Sequence, residues 1–251
     1  MKPLGIQLYS VRDYTSEDFP GTLKKLAGMG YSGVEFAGLQ GCEAEDLRKV
    51  LDDQGLTATS CHAKVNKDNL NAEVEQAEAL GYSHIVVPWM DPECFETADA
   101  VKKSAEELTE MAGLLQPHGI TLGYHNHAHE MIEIDGKFAL EMLFEQAPDV
   151  WAQLDTYWVS DHGKNNAATF VAKWAKRCKS LHIKDGSWVK GEPMKAVGTG
   201  KMDVPAVVEA GQDDNIHWHI VELDNCATDM MEAVEASARY LIDNNLAKGK
   251  E

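Results

Sequence analysis

The chain has 251 residues, 44% of them hydrophobic and 25% charged, enough to bury one large core and ordinary for a soluble globular protein. Its formal net charge of −18 argues against nucleic acid or an anionic membrane as a main partner, because phosphate recognition needs a basic face; the acidity reads as a solvated, self-repelling surface. Five scattered cysteines (Cys42, Cys61, Cys94, Cys178, Cys226) without a C-x-x-C pair fit free thiols, and neither a signal peptide nor an apolar membrane-spanning run is visible, so the expected location is the cytoplasm.

Strand-like and helix-like patterns alternate from one end to the other. The pattern predicts a strand at Leu4–Tyr9 followed by a helix at Phe19–Met29, then Gly33–Phe36 with Ala44–Gln54 and Thr57–His62 with Leu70–Leu80. His84–Pro88 is followed by Asp99–Gln116, Ile120–His127 by Phe138–Gln146, and Val150–Asp155 by Ala167–Arg177. Ser180–Lys184 with Val204–Ala210 and His217–Glu222 with Thr228–Asn244 complete eight pairs. Gly30, Gly55, Gly81 and Pro117–Gly119 punctuate the junctions. Such alternation implies an α/β fold with a parallel sheet inside helices, and eight repeats in this length predict a single (β/α)₈ TIM barrel over residues 1–251. A doubly wound open sheet fits less well, because Tyr9-Ser-Val-Arg-Asp13 follows the first strand instead of a glycine-rich phosphate loop.

Strand parity divides the segments into two faces. Leu181 and Ile183 oppose His182 and Lys184, Leu154 opposes Gln153 and Asp155, and Ile6 and Leu8 oppose Gln7 and Tyr9. The apolar set packs under the helices, and the polar set points inward near the mouth. Glu130, Asp155, His182 and Glu222 fall at or just past the ends of four successive strands. Carboxylates with one imidazole suit Mn²⁺, Mg²⁺, Co²⁺ or Zn²⁺. His125 and His127 share a parity and are candidates for substrate contact or proton transfer. Lys184 is expected to offer a positive charge to a developing oxyanion, with Asp185 orienting it or His182. Gln7, Tyr9, Glu35 and His62 are candidate substrate contacts, as are Trp158 and Trp188, whose rings would stack on a sugar. The loop Asp185–Asp203, with Val197-Gly-Thr-Gly-Lys201, reads as a lid, a phosphate-contacting turn or a plain flexible loop.

The segments Gly5-Ile-Gln-Leu-Tyr-Ser-Val-Arg-Asp13, Tyr124-His-Asn-His127 with Glu130, Leu154-Asp155, Leu181-His-Ile-Lys-Asp185 and Val221-Glu-Leu-Asp224 resemble the xylose isomerase-like barrel family. Its members are often labelled sugar phosphate isomerase/epimerase, and the resemblance covers nearly the whole chain. It implies that Glu130, Asp155, His182 and Glu222 hold one divalent metal. In many isomerases of the family the first glutamate lies on the fifth strand itself, about where Tyr124 stands. Glu130 comes several residues later, and His127 or Glu133 are alternatives for the first ligand.

The implied chemistry is enolisation of a hydroxy-ketone, the metal chelating a carbonyl oxygen and an adjacent hydroxyl. Glu222 with His127 or His125 would move the proton, giving an isomer or an epimer of a small sugar, phosphorylated or not. Elimination of the aglycone from a 3-keto-glycoside is the alternative, since it shares the first step. The abasic-site endonucleases of this fold need histidines that are absent from Asp155-Thr-Tyr-Trp158 and from Asp203-Val-Pro205. A non-catalytic sugar-binding barrel and a homo-oligomeric state both stay open.

Overall fold

Eight apolar runs, each bounded by a turn, become eight strands in the computed structural model of the chain, which describes residues 1–250. They are β1 (Leu4–Gln7), β2 (Gly33–Phe36), β3 (Thr57–His62), β4 (His84–Val87), β5 (Thr121–His125), β6 (Trp151–Asp155), β7 (Cys178–Ile183) and β8 (Trp218–Val221). Neighbours pair in parallel and β8 returns to β1, with Gly5 opposite Ile220, so the sheet closes on itself. Helices cover the outside. Those over Ala44–Gln54, Leu70–Leu80 and Val204–Ala210 have the limits that the apolar spacing predicts. Gly81 ends one of them in the left-handed region at φ 83°, where a side chain would be strained, and its N–H donates to the Ala77 carbonyl.

The first strand stops two residues before its expected end. The Gln7 side-chain oxygen accepts from the Tyr9 N–H at 2.9 Å and turns Leu8–Val11 into a 3₁₀ helix. Tyr9 is thereby taken out of strand parity and stands 44% exposed on the rim. The helices Arg12–Glu17 and Thr156–Val159 and the small hairpin Glu133–Ile134/Lys137–Phe138 fill connections that the periodicity leaves blank.

The two ends of the barrel differ in chemistry. At the N-terminal end the indoles of Trp151 and Trp218 lie over glycines: a Cβ on Gly123 would meet the Trp151 ring at 2.5 Å, and one on Gly33 the Trp218 ring at 2.7 Å. Only glycine lets those rings fill the floor. At the C-terminal end the inward positions are Gln7, Glu35, His125, Gln153, Asp155, His182 and Glu222, all buried. Among the described residues no helix is long and apolar enough to cross a membrane.

Candidate metal centre and active site

The C-terminal strand ends open on a cavity of about 490 Å³, lined by Tyr9, His62, Trp89, His125, His127, Glu222 and Asp224 with Ala37 and Pro88. Under it lies a polar layer built around Glu35. This carboxylate is fully buried and accepts from Gln7 Nε2 at 2.8 Å, Ser60 Oγ at 2.5 Å, Gln153 Nε2 at 2.6 Å and His182 Nε2 at 2.7 Å. Burial alone would raise its pKa, but His62 and His182 outweigh burial and hold the carboxyl well below its ordinary range. Gln7 and Glu35, expected against substrate, are corrected here: both are wholly enclosed, and their polar atoms are engaged with protein partners.

Gln153 orients the imidazoles. Its side-chain oxygen lies 2.6 Å from His62 Nε2 and 3.1 Å from His125 Nδ1, while its amide donates to Glu35 and to Ser180 Oγ. With Nδ1–H donating to Gln153, His125 turns Nε2 toward Asp155 Oδ2 at 3.7 Å and Glu222 Oε2 at 3.8 Å. Burial, then His182 nearby, holds the His125 pKa well below its ordinary value, so the ring is neutral. His182 faces two carboxylates, with Nε2 on Glu35 and Nδ1 at 2.8 Å from Glu222 Oε2. Burial would lower its pKa, but Glu35 and Glu222 raise it to about 10.

His125, Asp155, His182 and Glu222 each offer one ligand atom within 4.8 Å of the other three. Two further observations fit a cation to these residues. Asp155 Oδ2 is buried and accepts no hydrogen bond, although Lys184 Nζ stands 2.9 Å away as an ionic contact. His182 is gripped from behind by Glu35, the carboxylate–histidine arrangement that aims the other ring nitrogen at a metal. A metal on Nδ1 would replace the proton now shared with Glu222.

Glu130 stands outside this group, which revises the first ligand. Its Oε1 accepts from the Tyr124 hydroxyl at 2.7 Å and its Oε2 from the His127 N–H at 2.8 Å. Burial raises its pKa to about 7. Those bonds make Glu130 the clamp of the loop that carries His127. Glu133 is exposed on the small hairpin. Neither glutamate joins the cluster; the imidazole on the fifth strand, His125, does.

Lys184 also departs from expectation. Its ammonium lies 2.9 Å from Asp155, 2.8 Å from Glu222 and 2.8 Å from Asp224. Burial would lower its pKa, but Asp155, Asp224 and Glu222 hold it well above the ordinary value. Its ammonium donates to Asp224 at 2.8 Å and stands in ionic contact with Asp155 and Glu222, so it acts as a counter-ion to the acids. Asp185 orients neither His182 nor Lys184. Its carboxylate accepts from the backbone N–H groups of Gly186, Gly198, Gly200 and Met202 at 2.8 to 3.0 Å.

Of the other candidates, Tyr9, His62 and His127 line the cavity. The His127 ring is held between Trp89, 4.6 Å away edge-on, and Trp158 at 6.2 Å; burial, then Lys184, lowers its pKa to about 3, and Nδ1 has no partner. Trp158 forms the wall behind His127, with the Lys184 ammonium 5.7 Å from its ring. Trp188 is set apart: it borders a separate 110 Å³ recess and packs against Gly163. Sequence reasoning gave no role to Asn126 or Asp224, and placed Gln153 on the inward face without assigning it one. Asn126 is fully buried and accepts from the Asp155 N–H at 3.0 Å, tying the end of β5 to that of β6. Gln153 shares parity with Asp155, and Asp224 with Glu222, so both carried a signal.

The chain belongs to the xylose isomerase-like TIM barrel family, whose model matches residues 23–243. It is similar to a sugar phosphate isomerase/epimerase from Parabacteroides distasonis, with 26% identity, a TM-score of 0.81, and coverage of 98% of this chain and 96% of that one. The IOLI protein with a bound zinc atom matches at 16% identity and TM-score 0.77 over 97% of both chains. The 3-keto-D-glucoside 4-epimerase from E. coli matches at 17% identity and TM-score 0.75, covering 96% of this chain and 99% of that one. At those two identities the likeness is one of fold. No curated protein matches the chain.

Proposed function

We propose that this protein is a divalent-metal-dependent sugar isomerase or epimerase that moves a proton beside a carbonyl through an enediolate. The observation that carries the reading is the convergence of His125, Asp155, His182 and Glu222 at the floor of the cavity. These four residues would hold the metal. When bound, it would act as a Lewis acid on the sugar carbonyl and an adjacent hydroxyl. Glu222 both borders the cavity and is kept ionised, since Lys184 and His182 outweigh the effect of its burial. It is therefore a carboxylate able to accept the proton next to the carbonyl. His127 supplies a neutral imidazole on the same cavity wall and relays the proton to the other carbon or the other face. Lys184 keeps Asp155 and Glu222 from repelling each other as the site charges and discharges. His62, Tyr9 and Trp158 are assigned to the sugar ring.

The test has two parts. Metal titration of purified protein should give one site per chain, and Asp155→Ala or His125→Ala should lower its affinity about 10-fold or more, judged from what even outer partners contribute. Unchanged affinity in both variants refutes the ligand set. Incubation of metal-loaded enzyme with ketoses and 3-keto-glycosides in D₂O should then put deuterium on the carbon beside the carbonyl. Product analysis separates isomer and epimer from the eliminated product of a lyase. Turnover without deuterium uptake removes the proton-transfer mechanism, and metal binding with no turnover leaves a sugar-binding barrel.

A further inference from the structure

Resting on the reading of the mouth as a sugar site, the question of a phosphate group can be decided by charge. Among the described residues no lysine or arginine lines the cavity, whereas Glu222 and Asp224 do. Two cations that touch lining residues, Lys184 and Arg12, are already matched. Lys184 is held by Asp155, Glu222 and Asp224, and the two positive charges of a bound dication together with that of Lys184 would balance those three carboxylates. Arg12 donates to the carbonyls of Tyr9 and Asp224 and packs its guanidinium over the Tyr9 ring at 4.2 Å.

The glycine-bearing loop beside the site is closed to an anion for a different reason. A phosphate cradle works by aiming several backbone N–H groups at one point. Here Gly198 and Gly200 do converge, but on the buried carboxylate of Asp185, which also takes the N–H groups of Gly186 and Met202. The protein fills its own nest with a side chain. Lys195 and Lys201 on that loop are exposed and do not reach the cavity lining. What the mouth offers in place of cations is apolar: Tyr9, Ala37, Pro88 and the 37%-exposed Trp89.

We infer that the site selects an uncharged sugar and rejects its phosphate ester, the neutral ring or its aglycone lying against Trp89 and Tyr9. Desolvating the ester against a lining that offers it no lysine or arginine is the source of the discrimination.

Equilibrium binding to the metal-loaded protein tests this, with D-fructose, D-ribulose and D-xylulose each measured against its own phosphate ester by calorimetry or ligand-observed NMR. At least one neutral ketose should bind, and each that binds should do so at least about 10-fold more tightly than its ester. Inorganic phosphate should not compete. Trp89→Lys, a rim substitution outside the metal and proton-moving groups, should bring the ester to within about 3-fold of the neutral sugar by adding a cation where none exists. Tighter binding of any ester than of its ketose overturns the inference, as does failure of every neutral ketose to bind. Unchanged discrimination in Trp89→Lys overturns its electrostatic cause. Deuterium exchange into an ester would uphold the isomerase reading while removing this one; selective binding of the neutral sugar without exchange would do the reverse.

Discussion

Glu35→Gln is the substitution that probes the polar layer most directly. The wild-type carboxylate is fully buried and accepts from Gln7, Ser60, Gln153 and His182, with His62 Nε2 at 3.1 Å from Oε1. An amide of the same shape has one acceptor oxygen, and its NH₂ must face donors that have nowhere else to turn. It also leaves the His182 imidazolium without one of its two counter-charges. Removing one partner of a buried ion pair costs roughly 3–5 kcal/mol. For a domain of this size each kcal/mol lowers Tm by about 2–4 °C, so a loss on the order of 6–20 °C is expected. Since Glu35 holds the ring whose Nδ1 would meet the metal, metal affinity should fall about 10–100-fold as well. Differential scanning calorimetry and metal titration read the two effects separately. A variant with wild-type affinity and Tm within about 2 °C would refute the assignment of Glu35 as the orienting partner of His182.

Glu222→Gln, with metal occupancy verified first, should lower turnover about 10²–10⁴-fold, measured on whichever ketose exchanges deuterium. His219 is fully buried, and burial, opposed by backbone contacts at Gly211 and Leu246, lowers its pKa from 6.5 to about 4. Its unfolded state therefore binds the proton more readily. The stability it contributes is complete above about pH 6.5 and is lost as pH falls to 4, an acid penalty of ~3 kcal/mol. His219→Phe should flatten that part of the stability profile between pH 7 and pH 4 in denaturant titrations (conditions spanning the two pKa values). Asp185→Ala frees four backbone N–H groups at once, and limited proteolysis should then cut within 186–202 while the barrel still melts cooperatively. Gly123→Ala drives a Cβ to within 2.5 Å of the Trp151 ring and should destabilise by about 1–3 kcal/mol.

The barrel was legible in the sequence because its signal is repetitive: eight short apolar runs, each followed by a helix whose apolar stripe has only one place to go. The strand ends were less so. Whether Leu4–Gln7 continues to Tyr9 depends on one side-chain bond from Gln7, which no periodicity encodes. Parity identified the inward positions of Asp155, His182 and Glu222, and the structure brings those three together. Sequence reasoning assigned the first ligand to Glu130, with His127 or Glu133 as alternatives, and did not reach His125, since that choice turns on Tyr124 and the His127 N–H capturing the glutamate. Lys184 was read as a charge for an oxyanion, and Asp185 as orienting it or His182, for the same reason. A charge in a sequence carries no record of its partners, and here Asp224 and four loop amides supply them.

The two indoles over Gly33 and Gly123 have a consequence for isotope experiments. With Trp151 and Trp218 packed over those glycines at the N-terminal end, a hydrogen lifted from a sugar at the proposed site would leave by the mouth, past the molecule it came from. Return of the original atom then competes with washout. A substrate turned over slowly should equilibrate its label with solvent, whereas a fast one should retain a measurable fraction of its own hydrogen in the product. Loosening that packing with Trp151→Ala would open a second route and raise the exchanged fraction at equal turnover.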